Sequence, residues 1–149
     1  MGKTKGGTTM KALTICQPYA ELILRGSKPV ENRVWQTNYR GPLLIHAGKS
    51  RDWMINAEFG IPIREMAFGA IVGVADVTHC LSFAYLMSPT CDDALRYLRD
   101  SIHTSGPFCF VLKNPRRFAK PIPYRGAQGL FDIPDYVVQE ALANVNSHR

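Results

Sequence analysis

Apolar and polar residues alternate through Lys11–Cys16, with Leu13 and Ile15 on one side, which is the period of a half-buried strand. Pro18 then opens a short helix over Tyr19–Arg25, where its missing N–H removes no hydrogen bond, and Gly26 stands just past the end. Ser27-Lys28-Pro29 forces an extended approach, because a residue before proline is pushed out of the helical region. Val30–Trp35 reads as a second strand, Thr37–Pro42 as a turn and Leu43–Ala47 as a short apolar strand. Arg51–Phe59 has helical spacing, and Gly69–Cys80 is a long strand whose small residues Ala70, Gly73 and Ala75 point to close packing or a bend. Pro89–Ile102 carries the best helix pattern, with Ser88 or Thr90 as cap, Asp92 and Asp93 in the first turn, and Ala94, Leu95 and Leu98 as its apolar face. Gly106–Pro107 breaks it, and Phe108–Leu112 is a strand. Arg117–Tyr124 is interrupted by prolines and reads as an edge strand or extended loop. Gly129–Ile133 is a last short strand and Asp135–Ala143 a terminal helix. Five to seven short strands with three or four helices make an α+β domain with a small mixed or barrel-like sheet.

At 149 residues the chain has the length of one domain. Met1–Thr9 is Lys, Gly and Thr without the apolar core of a secretory signal, so residues 1–10 are expected to be a disordered leader and 11–145 a single domain. No run of about 18 apolar residues occurs, which leaves no membrane-spanning helix. The four cysteines include no C-x-x-C pair and no zinc-finger spacing, so no metal or other cofactor is expected. A reducing, cytoplasmic compartment and a monomer are the expectation. The formal net charge is +6, and the surplus is uneven: residues 1–60 hold nine Lys and Arg against four Asp and Glu, residues 61–149 nine against eight. A basic first half fits an anionic partner such as nucleic acid, and it equally fits plain solubility.

Ala47-Gly48-Lys49-Ser50 lies between a strand and a predicted helix, where a phosphate-binding loop would sit. A glycine would be required five residues before Gly48, and Leu43 stands there, so a triphosphate cradle is excluded. Gly48, Lys49, Ser50 and Arg51 still offer N–H groups and two cations, enough for one phosphate. The densest polar cluster is Lys28-Pro-Val-Glu31-Asn-Arg33-Val-Trp35. On a strand, Glu31, Arg33 and Trp35 share one face, and Val30, Asn32 and Val34 the other, with Val30 and Val34 as natural core. Two readings follow. One is a surface Glu–Arg pair of little energetic weight, with Trp35 packed on a neighbour. The other is a nucleobase site, with an aromatic ring to stack, a carboxylate to accept from an amine and cations for phosphate. Gln17 and Tyr19 stand at the mouth of the first helix, and His46 ends a strand just before the Gly48–Arg51 turn, where a lone His is usually a structural hydrogen-bonder. No Ser/His/Asp signature and no G-x-S-x-G elbow is present.

The runs Ala12-Leu-Thr-Ile-Cys-Gln-Pro-Tyr-Ala-Glu-Leu-Ile, Gly26-Ser-Lys-Pro-Val-Glu-Asn-Arg and Gly41-Pro-Leu-Leu-Ile-His-Ala resemble the ASCH domain family of the PUA-like superfamily. The resemblance continues through Gly69-Ala-Ile-Val-Gly-Val-Ala-Asp-Val, Phe110-Val-Leu-Lys-Asn-Pro-Arg-Arg-Phe and Pro121-Ile-Pro-Tyr-Arg-Gly, and covers about residues 11–134. It implies a β-barrel of five or six strands flanked by helices, with a cleft between the first helix and the barrel. It implies binding of RNA or nucleotides, and a cleft lined by Gln17, Lys28, Glu31, Arg33 and His46. A bacterial branch with a similar fold hydrolyses 4-acetylcytidine with a Lys, a Thr three positions later and a downstream Glu. Lys28 matches that Lys, but Glu31 occupies the Thr position. Another branch cuts single-stranded RNA.

Two functions therefore stay open. The first, and favoured, is a module binding RNA or a modified nucleoside. There Lys28, Arg33, Lys49 and Arg51 meet phosphate, Tyr19 or Trp35 stacks, and Glu31 with Gln17 reads a base edge. The second is a hydrolase of a nucleobase-linked amide or of RNA, with Glu31 as base for a water and Lys28 as oxyanion donor. A carboxylate held between two cations is a poor proton acceptor, which favours binding.

Overall fold

In the computed structural model, which describes residues 7–52 and 59–147, six strands form one mixed sheet. Strands β1 (Thr9–Ile15), β2 (Val30–Arg33), β3 (Gly41–Ala47), β4 (Ala70–Ser82), β5 (Phe108–Pro123) and β6 (Phe131–Pro134) take the order β2-β5-β4-β3-β1-β6. Only β1 and β3 run parallel among these pairs. Helices α1 (Tyr19–Leu24), α2 (Phe83–Leu86) and α3 (Asp135–Ser147) flank the sheet, with 3₁₀ segments at Ile63–Glu65 and Asp93–Asp100. This is the α+β fold expected. Residues 1–6, and residues 53–58 of the helix expected over Arg51–Phe59, lie outside the described residues.

The alternating pattern sorts side chains onto two faces. Leu13, Ile15, Leu43, Ile45 and Phe110 pack with Ala20, Ile23 and Leu24 of α1. Ala12, Leu44, Ile71, Val74 and Phe118 pack with Val138 of α3. A third, smaller core joins Val30, Cys109 and Val111 to Leu86, Leu95 and Leu98. Gly73 permits the close approach of α1 and β5 to β4: a Cβ there would lie 2.4 Å from the Arg116 carbonyl oxygen and 2.6 Å from Leu24 Cδ2. At Gly26, φ is +81°, the left-handed geometry that ends α1.

Several expectations are corrected. Thr9 and Met10 belong to the sheet, opposite Pro134 and Ile133, and not to a leader. Arg117–Tyr124 is no separate strand: β5 runs on to Pro123, with three register shifts against β4 that let it bend. The helix expected over Pro89–Ile102 is instead the 3₁₀ segment Asp93–Asp100, capped by Asp92, whose carboxylate accepts from Ala94 N at 3.1 Å. Leu95 and Leu98 are buried while Ala94 is exposed. An apolar pair three residues apart stacks on one side of a helix with three residues per turn, so the face needs no α period.

The sheet is not a closed barrel, because β2 and β6 stand at its two edges. β6 covers β1 only from Thr9 to Ala12. Beyond that, Arg33 Nη2 on β2 donates to the Thr14 carbonyl at 2.8 Å. A side chain thus bridges the gap that a ladder would close.

Candidate functional site

The site begins where β1 hands over to α1. Pro18 has no side chain to cap the helix, and Gln17 supplies the acceptor instead, its Oε1 receiving Glu21 N at 2.9 Å. Its Nε2 donates to the Ala67 carbonyl at 2.9 Å. Gln17 is buried with both ends of its amide in use, which sets Tyr19 at the start of the helix facing Lys28.

Lys28, between Gly26 and Pro29, is held by its own neighbours. Its Nζ donates to Val30 O at 2.5 Å and to Glu31 Oε1 at 2.8 Å, and lies 5.7 Å from the Tyr19 ring centroid. Glu31 stands opposite Phe110 in the β2–β5 register. Its Oε2 accepts from Arg33 Nε at 3.0 Å. Lys28, Glu31 and Arg33 thus form one chain of charge. The first two are buried, which makes them unlike the exposed pair that carries little energy.

These groups floor a cleft of about 640 Å³, within the size range of small-ligand sites. Tyr19 lines it from α1, Lys28 from the α1–β2 connection, Glu31 and Asn32 from β2, and Phe59, Ile102 and His103 from two further segments. Phe59 meets the Tyr19 ring edge-on at 6.1 Å and the His103 ring at 5.5 Å with a 32° tilt. Asn32 fixes the second segment: its Nδ2 donates to His103 O at 2.6 Å, and its Oδ1 accepts from Ser105 N at 3.1 Å and Gly106 N at 2.8 Å. Burial, and then the nearby Lys28 ammonium, hold the His103 imidazole below its ordinary range, so it faces the cleft uncharged at neutral pH. Burial above all pushes the Cys16 thiol up, so the cysteine beside this charge chain is no thiolate nucleophile at neutral pH.

Of the residues singled out by the sequence, Tyr19, Lys28 and Glu31 line the cleft, and Arg33 adjoins it through Glu31. Trp35 packs edge-on against Phe110 at 5.2 Å, as a core neighbour. Val34, expected in the core, is 79% exposed, because β2 stops at Arg33 and the alternation ends with it. His46 is buried on the face of Leu44, between Thr14 Oγ1 at 3.1 Å and the Tyr124 carbonyl at 2.7 Å. Lys49 and Arg51 are exposed and lie outside the lining. Asn32, Phe59, Ile102 and His103 were missed as site residues. Asn32 lies on β2 inside the polar cluster already noted, whereas Phe59 and the Ile102–His103 pair are far from it in sequence, and only the aromatic character of Phe59 and His103 offered any signal there.

The matching region spans residues 13–122 and carries the ASCH domain. The chain belongs to the ASCH domain family. It is 28% identical over 141 residues to activating signal cointegrator 1 of Homo sapiens, across 87% of this chain and 23% of that protein. The Mus musculus protein of the same name matches with the same identity and shares. The chain thus spans about a quarter of the length of these relatives. An ASCH protein of Zymomonas mobilis superposes with a TM-score of 0.52 at 15% identity, covering 90% of this chain and 94% of that one. A Tyr-to-Phe variant of it superposes at 0.55, also at 15% identity, covering 91% and 98%. At that identity the likeness speaks for the ASCH fold alone. No helix among the described residues is long and apolar enough to cross a membrane.

Proposed function

We propose that this ASCH domain binds a nucleobase, carried by RNA or by a modified nucleoside, in the cleft beside α1. The observation that carries the reading is the pairing of aromatic walls, Tyr19 and Phe59, with a buried Lys28–Glu31 floor. A planar base can stack on the walls. Lys28, with two of its three protons engaged, keeps one donor for a ring carbonyl, and Glu31 keeps lone pairs for an exocyclic amine. Gln17 plays no part in reading the base, since its amide is spent on the helix start and Ala67.

Hydrolysis of a base-linked amide, or of RNA, is the second reading. Against it stand the two engaged oxygens of Glu31, at the position where the amide-cleaving branch has a hydroxyl nucleophile. The test is equilibrium binding of free nucleosides, 4-acetylcytidine and short single-stranded RNA, with product analysis of the same mixtures. Binding without turnover is expected. Tyr19→Ala should weaken binding roughly 5- to 150-fold, the weight of one stacking contact, with the circular dichroism spectrum unchanged. Binding indifferent to Tyr19→Ala overturns the cleft assignment. Turnover of 4-acetylcytidine that disappears in Lys28→Ala establishes the hydrolase.

A further inference from the structure

Three cations gather where β3 ends, β4 begins and β5 ends. Lys49 lays its stem on Gly69, where an added Cβ would lie 3.0 Å from Lys49 Cγ and 3.1 Å from Cε. The Gly69 carbonyl accepts from Tyr124 N at 3.2 Å, which brings the next residue, Arg125, beside the same glycine. The Arg51 guanidinium lies 4.2 Å from the Phe68 ring centroid. Lys49, Arg51 and Arg125 thus surround Phe68–Gly69. All three are exposed, and none is ion-paired with a carboxylate among the described residues. The acidic neighbour in the chain is Asp52, itself exposed.

Thr14 lies between this patch and Arg33. An added Cβ would lie 3.2 Å from Thr14 Cγ2 at Gly48, next to Lys49, and 2.8 Å from Thr14 Oγ1 at Gly126, next to Arg125. On the other side Arg33, paired with Glu31 at the cleft, donates to the Thr14 carbonyl. Thr14 therefore stands between Arg33, at the edge of the cleft, and the glycines that adjoin Lys49 and Arg125.

We propose that these three residues form a phosphate track continuing the cleft, so that the ligand is a single-stranded nucleic acid several nucleotides long. The inference rests on the cleft reading above: one unstacked base enters the cleft, and the phosphates of its neighbours cross Arg33 to the track. Flexible cations position a backbone without reading its sequence, and a base can enter a cleft only from an unpaired strand.

The test measures binding of mixed-sequence single-stranded RNA of one to six nucleotides, from 50 to 200 mM salt. The proteins are wild type, Lys49→Ala/Arg51→Ala/Arg125→Ala, Tyr19→Ala, and Arg40→Ala. Arg40 is an exposed cation before the opposite end of β3. Affinity should rise with length. Three phosphate contacts should make the hexamer bind about 20-fold more weakly at the higher salt, from a slope of about 0.7 per phosphate. The triple variant should lose that salt dependence and the gain with length, yet bind the mononucleotide within about twofold of wild type. Arg40→Ala should match wild type. Hexamer binding untouched in the triple variant, or equally weakened in Arg40→Ala, overturns the track while Tyr19→Ala still judges the cleft. A normal Tyr19→Ala with a defective triple variant overturns the cleft and the proposed continuity together. A polyglutamate peptide that competes as well as RNA overturns the assignment in favour of an acidic protein partner.

Discussion

Glu21 and Glu31 are both buried carboxylates held by two cations, yet they sit in different settings. Glu21, on α1, receives Arg117 through both oxygens, at 2.9 and 2.6 Å, and Arg25 at 2.7 Å. Its arginines reach in from the surface, with side chains 47% and 39% exposed. Glu31 receives Lys28 and Arg33, whose side chains are only 5% and 23% exposed. The first cluster locks α1 to β5 and takes no part in the lining of the cleft. The second lines the cleft, with its cation buried beside it. What separates them is where the cation goes when its partner is removed. Arg25 and Arg117 can return to water, and Lys28 cannot.

That contrast is broken first by Glu31→Ala. It strands the Lys28 ammonium with only the Val30 carbonyl, and should destabilise the domain by about 3–5 kcal/mol in denaturant unfolding. Adding Lys28→Met should recover most of the loss, because an apolar side chain has no charge to strand. If the double variant is as unstable as Glu31→Ala, the pair is not the cause. Glu21→Gln should cost less, about 1.5–3 kcal/mol at neutral pH, the weight of hydrogen bonds to a charged group. Burial pushes the Glu21 carboxyl up, but hydrogen bonds and charge from Arg117 and Arg25 outweigh it and leave it below the ordinary 4.5. Its stabilisation is therefore present above pH 4.5 and lost as pH falls through the folded value. Thermal unfolding between pH 5 and pH 3 should show a shallower acid decline in Glu21→Gln than in wild type.

His103 should contribute less still. Its folded value lies below the ordinary 6.5, so the unfolded chain binds the proton more readily. Stability should slip as pH falls from 6.5 toward the folded value, and His103→Phe should remove that slip. An imidazole titration by NMR with its midpoint at or above 6.5 contradicts the described environment. The smallest effect belongs to Val34→Thr, within about 0.5 kcal/mol of wild type, since the side chain lies outside the core. A large loss there would return Val34 to the interior and β2 to its full expected length.

The strands were legible where one face was apolar and the alternation long, as in β1, β3 and β4, because a period of two needs only local information. The short helix after Pro18 and its stop at Gly26 were legible for the same reason. Lys28, Glu31 and Arg33 were visible as a cluster because β2 keeps them within six residues. Their depth was not. Burial of Glu31 depends on its register opposite Phe110, a core residue packed with α1, and that pairing is not encoded in its neighbours. Trp35 and His46 had the chemistry of binding groups but found partners inside the fold.

By itself the sequence determined which segments would pair or coil, the family those segments belong to, and the presence of a charged cluster next to an aromatic helix start. Those are properties of residues close along the chain, set by periodicity and backbone preference. The cleft was decided only by tertiary structure, which carried Phe59 and His103 from distant segments to Tyr19 and pinned the second segment through Asn32. The partners of Asn32 stand more than seventy residues from it, and no local pattern can specify a contact made at that separation.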